Sequence, residues 1–323
     1  MKKFLSLFLA LTMLCSLTVP TFASEPSLSG IASNSIIITH TIQENGLEIT
    51  TYENLDIFIN EARSQLPEIS DYDIAEFILE LSGQNSATLP EIAVMKILEY
   101  DNFSIATSYI QVDEAGNGKE ISEQEALIRL TGSEYTDPSG VIKFNTGFSK
   151  LYTSGTTKHF NVWASATWID FPNTCVEDAF VLGTNASYND LDVVDDFGYV
   201  HQTFKCLSCG KYTSYYRTVY ANAPVDDDLI LEYTAMGVPS ISFVPYSPYC
   251  QYGEHNVTDF DFTVYINYDV LVEGSAMIQA AYGHKTVGLS GINVSISADG
   301  TPKFSGGLGV TIKSYYARPV SLT

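Results

Sequence analysis

Basic residues are what this chain has least of. Lys and Arg together number 16 against 38 Asp and Glu, a formal charge of −22 over 323 residues. That balance argues against nucleic acid or an anionic membrane surface as a partner, since both would repel it. It leaves neutral or cationic partners, and it permits bound Ca²⁺ without demanding it. Recognisable catalytic signatures are also missing. There is no HExxH, no phosphate loop and no GxSxG elbow, and Gly306-Gly307-Leu308-Gly309 does not precede a helical pattern. A glycosidase needs only two facing carboxylates, so an acidic chain does not exclude that chemistry. Outside Phe4–Leu17 no long apolar run occurs, so no membrane span is expected in the mature chain.

The first 23 residues carry the features of a secretory signal peptide. Lys2 and Lys3 supply the charged start, Phe4–Leu17 the apolar stretch, and Pro20 precedes Thr21-Phe22-Ala23, with small residues where a signal peptidase reads. Cleavage after Ala23 predicts a mature, secreted, extracellular protein. It also removes Cys15, leaving Cys175, Cys206, Cys209 and Cys250.

After a serine-rich stretch, Ser24–Asn34, expected to be a loose leader, the pattern predicts a hairpin over Ser35–Tyr52 with Glu44-Asn45-Gly46 at its turn. Helices are predicted over Glu53–Leu66, from Ser70 to Leu81, and after Pro90, where Ile92, Met95, Ile97 and Leu98 supply the apolar content. Phe103–Val112 reads as a strand, and Ser122-Glu123-Gln124-Glu125 as a capping box. Residues 24–140 hold 21 acids and four basic side chains; the rest of the mature chain holds 17 and ten. That step in charge, with Thr136-Asp137-Pro138-Ser139-Gly140, suggests a boundary between an acidic, mainly helical region (24–140) and a β-rich domain (141–323). In the second part Phe160–Trp168, Phe197–Lys205, Ser214–Tyr220, Phe260–Asn267, Ala276–Tyr282, Ile292–Ile296 and Leu308–Tyr315 alternate as strands do. The expected fold is therefore α+β, a small helical region followed by an all-β sandwich or barrel.

The one place where spacing suggests chemistry is Phe197–Tyr220, two strand-like arms about Cys206-Leu-Ser-Cys209-Gly-Lys. Two thiolates from one bent turn are half of a tetrahedral zinc knuckle, and Cys250 with His255 would supply the other half. His201 is a weaker ligand candidate, and Cys175 would complete an all-cysteine set. Outside the cytoplasm the same four cysteines can instead form two disulfides, in any of three pairings. A redox role fits less well, because the turn does not open a helix. The clusters Asp190/Asp192/Asp195/Asp196 and Asp226/Asp227/Asp228, and the turn Asp113–Gly118, are weaker candidates for Ca²⁺.

Sixteen of the 21 tyrosines fall in the β-rich part. They are ordinary half-buried sheet residues on one reading, and a carbohydrate- or peptide-binding face on the other. Two segments carry a resemblance. Leu89–Gly118 resembles a recurring stretch in uncharacterised secreted proteins of Gram-positive bacteria. Ala166–Leu182 is similar to a Trp-x-x-x-Pro…Asp pattern in β-rich regions of such proteins, borne here by Trp168, Pro172 and Asp178. The resemblance implies export and a β-rich half, and brings no activity. The preferred expectation is a non-catalytic extracellular binding protein whose partner is a protein, peptide or glycan. The alternative is a zinc-dependent or thiol hydrolase, the latter pairing Cys175 or Cys206 with His159, His201 or His284.

Overall fold

The computed structural model describes residues 27–113, 115–131, 140–169, 177–188, 196–206, 208–221, 229–245, 257–287 and 291–323. The fold is α+β, with a few helices near the N-terminus and large antiparallel sheets after them. Among the described residues no helix is long and apolar enough to cross a membrane.

The first element is a helix, α1 (Leu28–Ser35), where a loose leader was expected; Ser27 caps it by accepting from the Gly30 N–H. A serine at the N-cap turns a polar stretch into a helix start, and burial of Ile31 and Ala32 holds it in place. The hairpin follows as β1 (Ile37–Ile42) and β2 (Glu48–Glu53). Gly46 takes φ +78 at its tip, which a side chain would resist. Helix α2 (Leu55–Gln65) buries Leu55, Phe58, Ile59 and Ala62, the helically spaced set. Helix α3 (Asp71–Leu81) opens on a full capping box: Ser70 Oγ accepts from the Asp73 N–H, and Asp73 accepts from the Ser70 N–H. Pro90 caps the short α4 (Glu91–Lys96). Beyond β3 (Asn102–Val112) and β4 (Gly118–Ile121), the predicted Ser122–Glu125 box opens α5 (Glu123–Thr131).

Among the described residues after α5, the regular elements are strands. The larger sheet runs β1-β2-β3-β5-β6-β13-β9-β10, where β5 is Val141–Ser154, β6 Thr157–Ile169, β13 Val257–Glu273, β9 Phe197–Cys206 and β10 Tyr212–Tyr220. The smaller sheet is built around β7 (Asp178–Thr184) and β14 (Ala276–Val287), with β11 (Leu229–Tyr233), β12 (Pro239–Phe243), β17 (Thr311–Tyr316) and β18 (Val320–Leu322). Of the strands named so far, the sequence pattern missed β4, β5, β7, β11, β12 and β18. The β7 residues Asp178–Thr184 are buried throughout, so no polar alternation marks that strand.

The two sheets face each other over one large core in which Phe144, Val162, Ala164, Trp168 and Val264 meet Phe180, Leu182, Ile278 and Tyr282. The other face of the larger sheet is covered by the helices. There Tyr52, Phe103, Trp163, Phe197 and Tyr265 pack with Phe58, Ile74, Ile78, Val94 and Ile97. The architecture is thus three layers, helix on sheet on sheet. The composition step near residue 140 marks no break between cores. Strand β3, before it, pairs with β5, after it, from Ser104↔Phe148 to Gln111↔Val141. Tyr100, before it, stacks on Trp163 at 5.4 Å with the rings 7° from parallel, and its hydroxyl donates to buried Asn161 at 2.6 Å.

A fragment spanning 141–323 should therefore not fold independently, since it would expose Trp163, Phe197 and Tyr265 to water. It is expected to bind hydrophobic dyes and melt without a cooperative transition. A soluble fragment with a sharp thermal transition would show that the second half is self-sufficient. Gly147→Ala tests the same seam, because a Cβ at Gly147 would run into the Trp163 indole. The expected loss is about 1–3 kcal/mol, read by denaturant titration.

Candidate functional site

Helix cover ends before the larger sheet does. Helices α2–α4 lie over its middle strands, and α4 with the turn before it forms a wall beside β9 and β10. Between wall and strands runs a groove of about 810 Å³. One side is apolar: Leu89, Pro90, Ile92 and Met95. The other carries Tyr199 and His201 from β9 and Ser214, Tyr216, Thr218 and Tyr220 from β10. The period of two along each strand points these to one face. Register sets Tyr216 opposite His201 and Thr218 opposite Tyr199.

The tyrosines form a gradient of exposure. Tyr216 is 70% exposed and Tyr220 40%, while Tyr199 is buried. Burial pushes the Tyr199 hydroxyl up to about 12, so it stays protonated and can donate. Burial also pulls the His201 imidazole below its usual value, so the ring is neutral at pH 7. Its plane lies 3° from that of Tyr199, and its Nδ1 has no hydrogen-bond partner among the described residues. Among the described residues Glu91 is the one charged side chain in the groove lining. The site offers aromatic faces, hydroxyls and an apolar wall, and among the described residues no acid is paired with a base there.

The cysteine turn is formed as the spacing implied. Cys206 ends β9, the Cys206 N–H donates to the Lys211 carbonyl at 2.8 Å, and Gly210 takes φ +69. The Cys209 N–H points at Cys206 Sγ, 3.2 Å away. Cys175, Cys250 and His255 lie outside the described residues, so of the expected zinc set only Cys206 and Cys209 are described, the first buried and the second exposed. Among the described residues no group of three or more His, Cys, Asp and Glu gathers as a metal site would need. His201 and Cys206 are five residues apart on one strand and so face opposite sides of the sheet, which separates His201 from the turn.

Of the carboxylate candidates, the Asp113 turn is a plain hairpin tip in which Asp113 accepts from the Asn117 N–H at 2.7 Å. Asp190, Asp192, Asp195 and Asp226–Asp228 lie outside the described residues. Asp196 is buried and accepts from the Tyr233 hydroxyl at 3.1 Å.

One polar cluster escaped sequence reasoning. Asp178, fully buried at the start of β7, meets His284 Nδ1 at 2.8 Å, accepts from the Tyr282 hydroxyl at 2.6 Å, and accepts from the Lys285 N–H at 3.3 Å. An Asp–His pair is half of a catalytic triad, but this one sits under Trp168 with His284 4% exposed. Its role is to join β7 to β14. Burial raises the Asp178 carboxyl above its ordinary value, against the lowering contributions of His284, Tyr282 and the Lys285 N–H.

The chain matches no protein-family model and no curated protein.

A raised carboxyl in the folded state binds protons more tightly than in the unfolded chain. Its contribution to stability is therefore fully present below the unfolded value and is lost as pH rises through the folded one. Urea titrations across this range should show stability falling with pH, and Asp178→Asn should flatten that fall. An unchanged pH profile in Asp178→Asn would remove this carboxyl as the cause. Asp178→Ala, which strips His284 and Tyr282 of a buried acceptor, should flatten the fall in the same way and cost about 3 kcal/mol at the low-pH end of the range.

Proposed function

We propose that this is a secreted, non-catalytic protein that binds an extended peptide segment of an extracellular partner in the Tyr199–Tyr216–Tyr220 groove. The observation that carries the reading is the groove itself, a tyrosine-rich strand face left bare by the helices and walled on its other side by apolar residues. Tyrosine gives large, rigid contact area with a polar tip, at low entropic cost. The wall of Leu89, Pro90, Ile92 and Met95 has no side-chain hydrogen bonder to meet the ring of hydroxyls on a sugar. It suits the apolar side chains of a peptide, to which Met95 and Ile92 can adapt. Glu91 and the acidic chain favour a neutral or basic sequence. His201 lines the groove beside Tyr199, and its Nδ1 has no hydrogen-bond partner among the described residues.

A screen of neutral and basic peptides against neutral oligosaccharides, read by calorimetry, tests this. Saturable peptide binding that weakens about tenfold or more in Tyr216→Ala supports it. Binding of oligosaccharides alone would reassign the groove to glycans. Turnover of peptidase, esterase or glycosidase substrates would replace the reading with the hydrolase one.

The proposal includes a structural zinc held by Cys206, Cys209, Cys250 and His255, a closed set that leaves no position for a reacting water. What supports it is the tight turn between Cys206 and Cys209, in which the Cys209 N–H is aimed at Cys206 Sγ. Purified protein should carry close to one zinc and lose thermal stability with a chelator. A mass lower by four hydrogens, with no metal, would assign the cysteines to disulfides.

A further inference from the structure

We infer that β1 is a self-recognition edge, through which two copies of the chain pair as antiparallel strands about a twofold axis at His40. Strand β1 is the last strand of the larger sheet, and among the described residues it pairs only with β2. All six of its residues are exposed, with Ile37, Ile38 and Ile42 at 49%, 43% and 76%. Edges of soluble sheets are normally guarded by Lys, by Pro, by a bulge or by inward-pointing charge. Ile37-Ile38-Thr39-His40-Thr41-Ile42 contains no Lys, Arg, Asp, Glu or Pro, and its register with β2 is unbroken. A bare, β-branched edge of this kind is either a liability or a docking surface.

Three observations select a second copy as the occupant. The segment Ile38-Thr39-His40-Thr41-Ile42 reads identically in both directions. Antiparallel pairing centred on His40 therefore sets Ile38 against Ile42 of the second copy and Thr39 against Thr41 of the second copy. Like pairs of β-branched residues meet on each face, as an isologous interface requires. The hydrogen bonding has the matching phase. Gln43 N–H donates to the Leu47 carbonyl, and alternation from there turns the N–H and C=O groups of Ile42, His40 and Ile38 outward. Those are the residues that the axis at His40 pairs with each other, so each outward group meets a complement. Charge does not oppose this register. Glu44, the nearest acid along the chain, falls beside Ile36 of the second copy.

The edge is also presented rigidly. Asn45 Nδ2 donates to the Pro319 carbonyl at 2.8 Å and Gln43 Oε1 accepts from the Ser321 N–H at 3.2 Å, clamping the hairpin tip to the smaller sheet. The His40 ring is drawn back to β2, 3.1 Å from Thr50 Oγ1 and 3.0 Å from Glu48 Oε1, which leaves the backbone edge open. A six-residue edge buries less area than a permanent dimer needs, so association should be reversible and depend on concentration. Each copy carries −22, and added salt, by screening that repulsion, should favour the dimer.

Sedimentation velocity over a wide concentration range, in low and high salt, tests the inference. The expected result is a monomer–dimer equilibrium that shifts toward dimer with salt. His40→Pro removes an outward N–H without touching a bond to β2, and His40→Glu sets like charges across the axis. Each should weaken association about tenfold or more, while the monomer melting curve shifts only slightly, by the loss of the exposed His40 contacts to Thr50 and Glu48. Register is read separately by oxidising the double variant Thr39→Cys/Thr41→Cys. It should give a covalent dimer beyond any wild-type background, whereas Thr39→Cys alone, facing Thr41 of the second copy, should not. A monomer at all concentrations, or a dimer indifferent to both His40 substitutions, would overturn the inference.

Discussion

The structure depends on keeping both faces of one large sheet dry. Its middle strands β3, β5, β6 and β13 carry apolar side chains upward and downward, so neither face tolerates water. The smaller sheet covers one face and the helices the other. The tightest joint on the helix side is aromatic. Trp163 lies against Gly147 on the neighbouring strand, where a Cβ would not fit, and Tyr100 stacks over it. Below that stack, Asn161 and Asn267 bond each other and Asn161 takes the Tyr100 hydroxyl. Polar groups buried so deeply persist only because each has partners, which fixes the position of the helix layer on the sheet.

The groove follows from that fixed position. Helices α2–α4 are few and short, and the sheet is wider than they can cover. At the β9–β10 end the strand face continues past the last helix, and the tyrosines there remain half-exposed instead of entering a core. Tyr199, under the edge of α4, is buried, and Tyr216, one strand further out, is open to solvent. A ligand cleft and the limit of the hydrophobic core are here the same feature. At the opposite end of the sheet, β1 is exposed along its length and, among the described residues, pairs only with β2.

Much of the fold is legible in the sequence where a local rule acts alone. The Glu44-Asn45-Gly46 turn, the reciprocal Ser70/Asp73 cap and the Ser122/Glu125 box each settle a boundary through bonds between residues a few positions apart. Alternation located β10 and β15 (Ile292–Ile296) because one face of each is more exposed than the other. It failed for β7, where both faces are buried, and the charge step near 140 suggested a division that pairing of β3 with β5 overrides. Surface charge reports on solvation and is silent about which strands share a ladder.

Read alone, the sequence determined the helical start, the β-rich remainder, the acidity and the cysteine turn, since each rests on composition or on contacts within a few residues. Only the tertiary structure decided which tyrosines are core and which are site. Tyr265 and Tyr216 are indistinguishable as strand tyrosines, yet one is 4% exposed and the other 70%. The difference lies in where the helix layer stops. The same holds for Asp178 and His284, 106 residues apart, whose 2.8 Å contact exists because β7 and β14 pair in one register. Partners so distant in the chain leave no local trace, because nothing in either neighbourhood needs the other until the sheet forms.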